Sequence, residues 1–176
     1  MSAIPPHVLV VGGSGILAPA VRDVLDRGWT ASVVSRSAGR VAAADARARA
    51  AVADVTVPGA LRSALGDARF DLALVYQPFA PAEAWRAVAD RVAGTLVALL
   101  VSAHAAPRGA PAPPLPEGVD GTALVRHLVL GWHAADSGRA RWHTPEEISK
   151  AVLDVADHGR SAVLGTVRPW AARPAH

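Results

Sequence analysis

His7 to Arg36 reads HVLVVGGSGILAPAVRDVLDRGWTASVVSR, and its residue pattern is that of a strand, a glycine turn, a helix and a second strand. Val8 to Val11 is an unbroken β-branched and aliphatic run, as expected of a parallel strand covered on both faces. Gly12, Gly13 and Gly15 follow at once. Ile16 to Arg27 then sets Ile16, Leu17, Ala20, Val21, Val24 and Leu25 on one helical face. Pro19 falls in the first turn, where its missing N–H costs no intrahelical bond. Gly28 is placed to end the helix in the left-handed conformation, and Thr30 to Ser35 supplies the second strand. One unit of about thirty residues thus predicts a β-α-β start.

Glycines at 12 and 15 let a backbone turn sharply and come close to a pyrophosphate, whose charge is met by free amides at the helix start. The candidate phosphate cradle is therefore Gly12, Gly13, Ser14 and Gly15, continued by Ile16 and Leu17. Ala18 stands where a third glycine is expected, small enough to let helix and strand pack closely. At the end of the second strand, a site selective for NAD places a carboxylate on the ribose. This chain offers Ser35, Arg36 and Ser37 instead. Arg36 can grip a phosphate with a two-pronged bond, the requirement for choosing NADP. The plain alternative is a solvated loop arginine.

The composition admits one α/β domain spanning residues 1–176, long enough for a full core. Hydrophobic residues make up 51% and charged residues 19%, a globular balance that leans on alanine rather than aromatics. The net charge of +3 contains no basic run, which argues against nucleic acid. The absence of cysteine removes disulfides, thiol catalysis and cysteine metal sites. No signal peptide is visible and apolar runs stop short of a membrane span. The expectation is a cytoplasmic protein acting on a small-molecule substrate, with no membrane partner; a homodimer is compatible with it.

Beyond Arg36, an alanine- and arginine-rich helix is expected within Ser37 to Ala50, then a third strand over Ala51 to Val55. That strand ends in Asp54-Val55, from where a carboxylate can reach an adenine or simply cap a loop. A short helix over Pro58 to Leu65, a fourth strand over Phe70 to Tyr76, a helix over Ala82 to Val92 and a fifth strand over Thr95 to Val101 continue the alternation. Five prolines between Ala105 and Gly121 exclude a helix there. Thr122 to Leu130 reads as a sixth strand. Thr144-Pro145-Glu146-Glu147 carries a capping threonine, a first-position proline and a glutamate three residues past the cap. The helix it starts runs to about Asp157, and Ser161 to Val167 gives the last strand. The sum is a Rossmann-like, doubly wound parallel sheet of order 3-2-1-4-5-6-7 with right-handed crossovers.

Gly12-Gly13-Ser14-Gly15 at the head of such an alternation resembles the short-chain dehydrogenase/reductase superfamily, in the G-x-x-G-x-x-(G/A) form of its extended and atypical members. The chain is similar over most of its length to small bacterial proteins of that kind. They share the segments here seen as Arg126 to Gly131, Arg141-Trp142-His143-Thr144 with Glu147-Ile148-Ser149, and Gly165-Thr166-Val167-Arg168-Pro169-Trp170. The resemblance implies a bound nicotinamide dinucleotide. It also implies a Tyr-x-x-x-Lys pair after the fifth strand, the tyrosine donating a proton and the lysine lowering its pKa. Here the pair is missing: Tyr76 is the only tyrosine, and Lys150 has none four residues before it.

Strand ends that face a nicotinamide in this fold bring Tyr76, Gln77, Ser102, His104, Trp132 and His133 into range. Tyr76 and His104, a phenol and an imidazole, are the candidate catalytic proton donors. Each also has a plainer role, as a strand-end packing residue and a loop histidine. His127, His133 and His143 lack metal-ligand spacing, and no metal is expected. The expected activity is NADPH-dependent reduction of a small C=N or C=O substrate. A cyclic iminium suits a chain without the Tyr/Lys pair, since it needs little proton donation. The alternative is a non-redox dinucleotide-binding or sensing protein, or a cyclase or isomerase on the same fold.

Overall fold

The computed structural model describes residues 4–107, 123–134 and 139–175. β1 (His7–Val11) is its centre, with Val8, Leu9, Val10 and Val11 essentially unexposed. Such a strand can pair on both edges and pack on both faces. It lies parallel to β2 (Thr30–Ser35) on one side and to β4 (Phe70–Val75) on the other. β3 (Ala48–Val52), β5 (Val92–Val101), β6 (Leu124–Leu130) and β9 (Ala162–Leu164) complete a seven-stranded parallel sheet, β3-β2-β1-β4-β5-β6-β9. Counted along the main sheet, β9 is the seventh strand, and the order is the one expected. The direction of winding reverses between β1 and β4, the place where such folds open a crevice.

Each face of the sheet has its own apolar layer. α1 (Ala18–Asp26) and α5 (Pro145–His158) pack Val21, Val24, Ile148 and Val152 over Val8, Val10, Val33 and Leu74. α3 (Ala60–Leu65) and α4 (Ala82–Ala89) set Leu61, Trp85 and Val88 over Leu9, Val11, Ala73 and Val75. The cap of α5 forms as its sequence predicts: the Glu147 amide donates to the Thr144 hydroxyl, and the Thr144 amide donates to the Glu147 carboxylate. A short α2 (Ala38–Ala42) is all that forms of the helix expected between Ser37 and Ala50.

Four boundaries differ from expectation for identifiable reasons. The third strand spans Ala48–Val52, not Ala51 to Val55, because its register is set by β2, from Ala31 opposite Ala48 to Ser35 opposite Val52. The pairing ends there, and Asp54 turns the chain by accepting bonds from the Thr56 amide and hydroxyl. α1 begins at Ala18 rather than Ile16, because the amides of Gly15 and Leu17 both turn back onto the Gly12 carbonyl. β5 begins at Val92, three residues early. Gly94 permits this, since a Cβ there would strike the Asp71 carbonyl. β9 stops at Leu164, because Gly165 turns (φ 71°) and Thr166 pairs with Trp132 instead.

A small antiparallel pair, β7 (Trp132–His133) and β8 (Arg141–Trp142), is an addition that the pattern did not suggest. After β5 a single 3-10 turn spans Ser102–Ala105. The proline-rich loop expected from Ala105 to Gly121 lies, from 108 onward, outside the described residues, as does the Thr122 start of β6. Among the described residues, no helix is long and apolar enough to cross a membrane.

Candidate functional site

β1 delivers the glycine turn to the carboxyl edge of the sheet. Gly12 has φ 88°, and a Cβ on it would press against the Tyr76 carbonyl at 3.1 Å. The close helix–strand approach falls at Gly13 rather than Ala18: a Cβ on Gly13 would meet Val33 at 2.8 Å and Val21 at 3.0 Å. Gly15 differs from both. Its added Cβ would find only the Gly12 carbonyl, at 3.9 Å, so the space above it is open. The amides of Gly13, Ser14 and Ile16 have no partner among the described residues. An open glycine beside unpaired amides at a helix start suits a bound phosphate group. Leu17 is wholly buried in the core, so only its backbone faces the turn.

Next to the turn lies a groove of about 310 Å³, lined by Val11, Gly12, Ser35, Arg36, Asp54 and Tyr76, with Val55 also on its wall. It brings together five of the binding residues expected from sequence, Gly12, Ser35, Arg36, Asp54 and Val55; Gly13, Ser14, Gly15, Ile16, Leu17 and Ser37 are not on its wall. The Ser14 and Ser37 hydroxyls are hydrogen-bonded at 2.9 Å, tying the glycine turn to the loop after β2. The Ser37 amide donates to the Ser35 hydroxyl at 3.2 Å. Arg36 is exposed and has no hydrogen bond or ion pair among the described residues. Asp54 is held below its ordinary pKa, first by the Thr56 hydroxyl and amide and last by the charge of Arg36. The groove thus has an anionic and a cationic side chain on its wall, together with Gly12 of the glycine turn.

The two candidate proton donors are not brought together. Tyr76 lines the groove, and burial pushes its phenol above the ordinary pKa. His104 sits on the 3-10 turn after β5, away from the groove lining, with Nδ1 donating to the Val101 carbonyl at 3.2 Å. It lies near His127 of β6, whose pKa is lowered by burial first and by the His104 charge second. Lys150 is exposed on α5, a helix that contains no tyrosine. Among the described residues no cluster of His, Asp and Glu suits a metal.

Gln77 was expected at a strand end, but its unpaired burial and the fold-back of the carboxyl-terminal segment went unread in the sequence. Gln77 follows β4 and is 1% exposed, with neither side-chain amide atom hydrogen-bonded. A buried amide is an expensive group to leave unpaired. The carboxyl-terminal segment folds back over the end of β5: Arg173 Nε donates to the Ser102 hydroxyl at 3.0 Å, and Arg168 donates to the Ala105 carbonyl at 2.7 Å. Trp132, 1% exposed, packs edge-on against Trp142 and Trp170, with ring centroids 6.4 and 6.0 Å apart. Trp132, expected near the nicotinamide end, is thus a buried packing residue.

An open parallel sheet wound both ways from β1, with a glycine turn feeding α1 at its carboxyl edge, defines a Rossmann-type fold. Among solved structures it is the fold of the short-chain dehydrogenases/reductases. BdcA in complex with NADPH is similar at TM-score 0.65 and 15% identity, over 94% of this chain and 96% of that one. ChuY, an anaerobillin reductase from Escherichia coli O157:H7, is similar at 0.63 and 14%, over 96% and 100%. A short-chain alcohol dehydrogenase from Burkholderia multivorans, so named putatively, is similar at 0.61 and 17%, over 90% and 94%. No family model and no curated protein matches the sequence.

Proposed function

We propose that the chain is an NADPH-dependent reductase of a small C=N or C=O substrate, a short-chain dehydrogenase/reductase without the Tyr/Lys pair. The observation that carries the reading is a shared cavity: Gly12 of the glycine turn lines one groove with Ser35, Arg36, Asp54 and Tyr76, and the Ser14–Ser37 hydroxyl bond ties the turn to the loop that carries Arg36. In this arrangement the unpaired amides of Gly13, Ser14 and Ile16 would hold a pyrophosphate. Arg36 and the serine hydroxyls would grip a 2′-phosphate, and the Asp54-Val55 wall would face the adenine. The bound cofactor would supply a hydride. Tyr76, kept protonated by its raised pKa, would give a proton to a developing alkoxide or amine, and His104 stands farther along the same edge.

A substrate that already carries positive charge suits this site best, since Tyr76 has no lysine to lower its pKa and transfers its proton reluctantly. The same missing lysine favours the second reading, a non-redox dinucleotide-binding or sensing protein, or a cyclase or isomerase. Absorbance of NADPH, followed against a panel of cyclic imines and ketones, separates the two. Turnover of an imine with NADPH preferred over NADH supports the reductase; tight NADPH binding with no turnover of any member sinks it.

A further inference from the structure

We infer that Gln77 holds the nicotinamide end of the dinucleotide, its side-chain carboxamide pairing through two hydrogen bonds with the carboxamide on that ring. Its place at the nicotinamide end rests on the proposed dinucleotide reading. Gln77 is 1% exposed, and neither Oε1 nor Nε2 has a hydrogen-bond partner. An amide taken out of water and left unpaired costs stability at both atoms. Among the described residues the other buried polar side chains are bonded: Ser32 to His7, Ser102 to Arg173, and Ser149 to the Ile16 carbonyl. His143 leaves Nε2 unpaired but keeps Nδ1 on Glu147. Gln77 alone of these has both side-chain polar atoms unmet. An apolar side chain of the same size would fill the place without that cost, and a polar group kept against stability marks a functional position rather than a core one.

The backbone puts this amide next to the groove. Tyr76, the residue before it, lines the groove, and the Tyr76 carbonyl is the group that a Cβ on Gly12 would press against. Ser35 ends β2, Gly12 follows β1 and Tyr76 follows β4, and those three strands are neighbours in that order. A dinucleotide with its 2′-phosphate on Arg36 and its pyrophosphate on the glycine turn would carry its nicotinamide half past β1 to the end of β4. The main chain of Gln77 is held there: the Ala80 amide donates to its carbonyl at 3.1 Å, and Pro78 follows with a fixed dihedral. Its side chain is not held. The amide has no bond to break in turning out toward a ligand, and it sheds the cost of unpaired burial as it turns. A primary amide offers donors and an acceptor in one plane, so its complement is a second amide. Adenine also has a donor–acceptor edge, but in this arrangement it lies by Asp54 and Val55, and the nicotinamide carboxamide falls to Gln77.

The test is calorimetry on the full chain with three ligands: NADP, its 3-acetylpyridine analogue, in which a methyl ketone replaces the carboxamide, and 2′,5′-ADP, which lacks the nicotinamide half. Wild type should bind NADP about fivefold tighter than the analogue, the worth of the one N–H bond that a ketone cannot give. Gln77→Met, nearly the same size, should weaken NADP about tenfold, bind the analogue as well as NADP, and leave 2′,5′-ADP unchanged. Without ligand the same variant should melt about 2–12 °C higher, because the unpaired amide is gone. A residue with a merely structural role would not separate NADP from 2′,5′-ADP. Equal affinity of wild type for NADP and the analogue overturns the proposal, whether or not the variant folds. So does a Gln77→Met protein that melts no higher than wild type, or one that loses 2′,5′-ADP as much as NADP. Failure of wild type to bind either NADP or 2′,5′-ADP refutes the dinucleotide reading itself and the role of Gln77 with it. Binding of both, with Gln77→Met matching wild type throughout, refutes the role of Gln77 alone.

Discussion

Gly13 and Gly15 stand two residues apart, yet adding one methyl group to each should have opposite consequences. At Gly13 the new carbon would lie 2.8 Å from Val33, 3.0 Å from Val21 and 3.1 Å from Val10, all in the packed core. Such overpacking costs about 1–3 kcal/mol. For a chain of 176 residues, where 1 kcal/mol shifts Tm by about 2–4 °C, Gly13→Ala should melt about 2–12 °C lower. At Gly15 the methyl meets nothing closer than 3.9 Å, and the backbone is not left-handed there. Gly15→Ala should therefore be as stable as wild type, or gain a few tenths of a kcal/mol through a less flexible unfolded chain. Its methyl would, however, fill the space in which phosphate oxygens approach the unpaired amides. NADPH affinity, read by calorimetry, should fall at least about tenfold, since one or more charge-assisted bonds is lost. A Gly15→Ala protein that binds NADPH as wild type does would show that the open space is not the phosphate site. A Gly13→Ala protein of unchanged Tm would refute the packing argument.

Arg36→Ala should weaken NADPH about tenfold or more while leaving NADH nearly unchanged, as calorimetry with both cofactors will show; equal losses would remove the case for the 2′-phosphate. Tyr76→Phe should lower kcat for a ketone by about 10²-fold with NADPH affinity intact, whereas His104→Ala should do so only if the 3-10 turn, not the groove, supplies the proton. Thr144→Ala deletes the cap of α5 and should cost about 1 kcal/mol, seen as a Tm about 2–4 °C lower at neutral pH. Glu147 is held well below the usual carboxylate range, chiefly by the Arg141 fork, then by the Thr144 amide. A depressed pKa stabilises the fold above the ordinary value of about 4.3 and loses that effect as pH falls through the native value. The Tm deficit of Glu147→Gln should accordingly be full at pH 7 and shrink in strong acid; a deficit that grows on acidification would contradict the ion-pair assignment.

The β1–turn–α1–β2 unit was readable because its signals are local: a buried strand is apolar throughout, a phosphate turn needs glycine, and a cap needs Thr and Glu at fixed spacing. β3 was displaced by three residues because an edge strand is only half-buried. Arg49 is exposed and Ala50 only partly buried there, and the composition of 48–52 suits a helix as well as a strand. Sequence spacing assigned the tight approach to Ala18, and only three-dimensional packing moves it to Gly13. Arg173 was invisible for a stronger reason. Its partner Ser102 is 71 residues away, and its tryptophans come from the β8 strand and the tail, so no window of sequence contains the arrangement.

The missing Tyr/Lys pair bears on which substrate the proposed reduction would suit. A pair of that kind contributes acid catalysis worth about 10²–10⁴ in rate, and a lone phenol whose pKa is raised by burial contributes less. The deficit can be met in two ways: by a substrate that needs no proton before hydride arrives, or by holding the substrate so well that orientation carries more of the rate. Under the proposed reduction an iminium takes the first way, since its cationic carbon would accept hydride without acid. For such a substrate Tyr76→Phe should matter little, while a neutral ketone should need Tyr76 and lose about 10²-fold in kcat without it; equal losses for both, read in the same NADPH absorbance assay, would show that the phenol does not act as the acid.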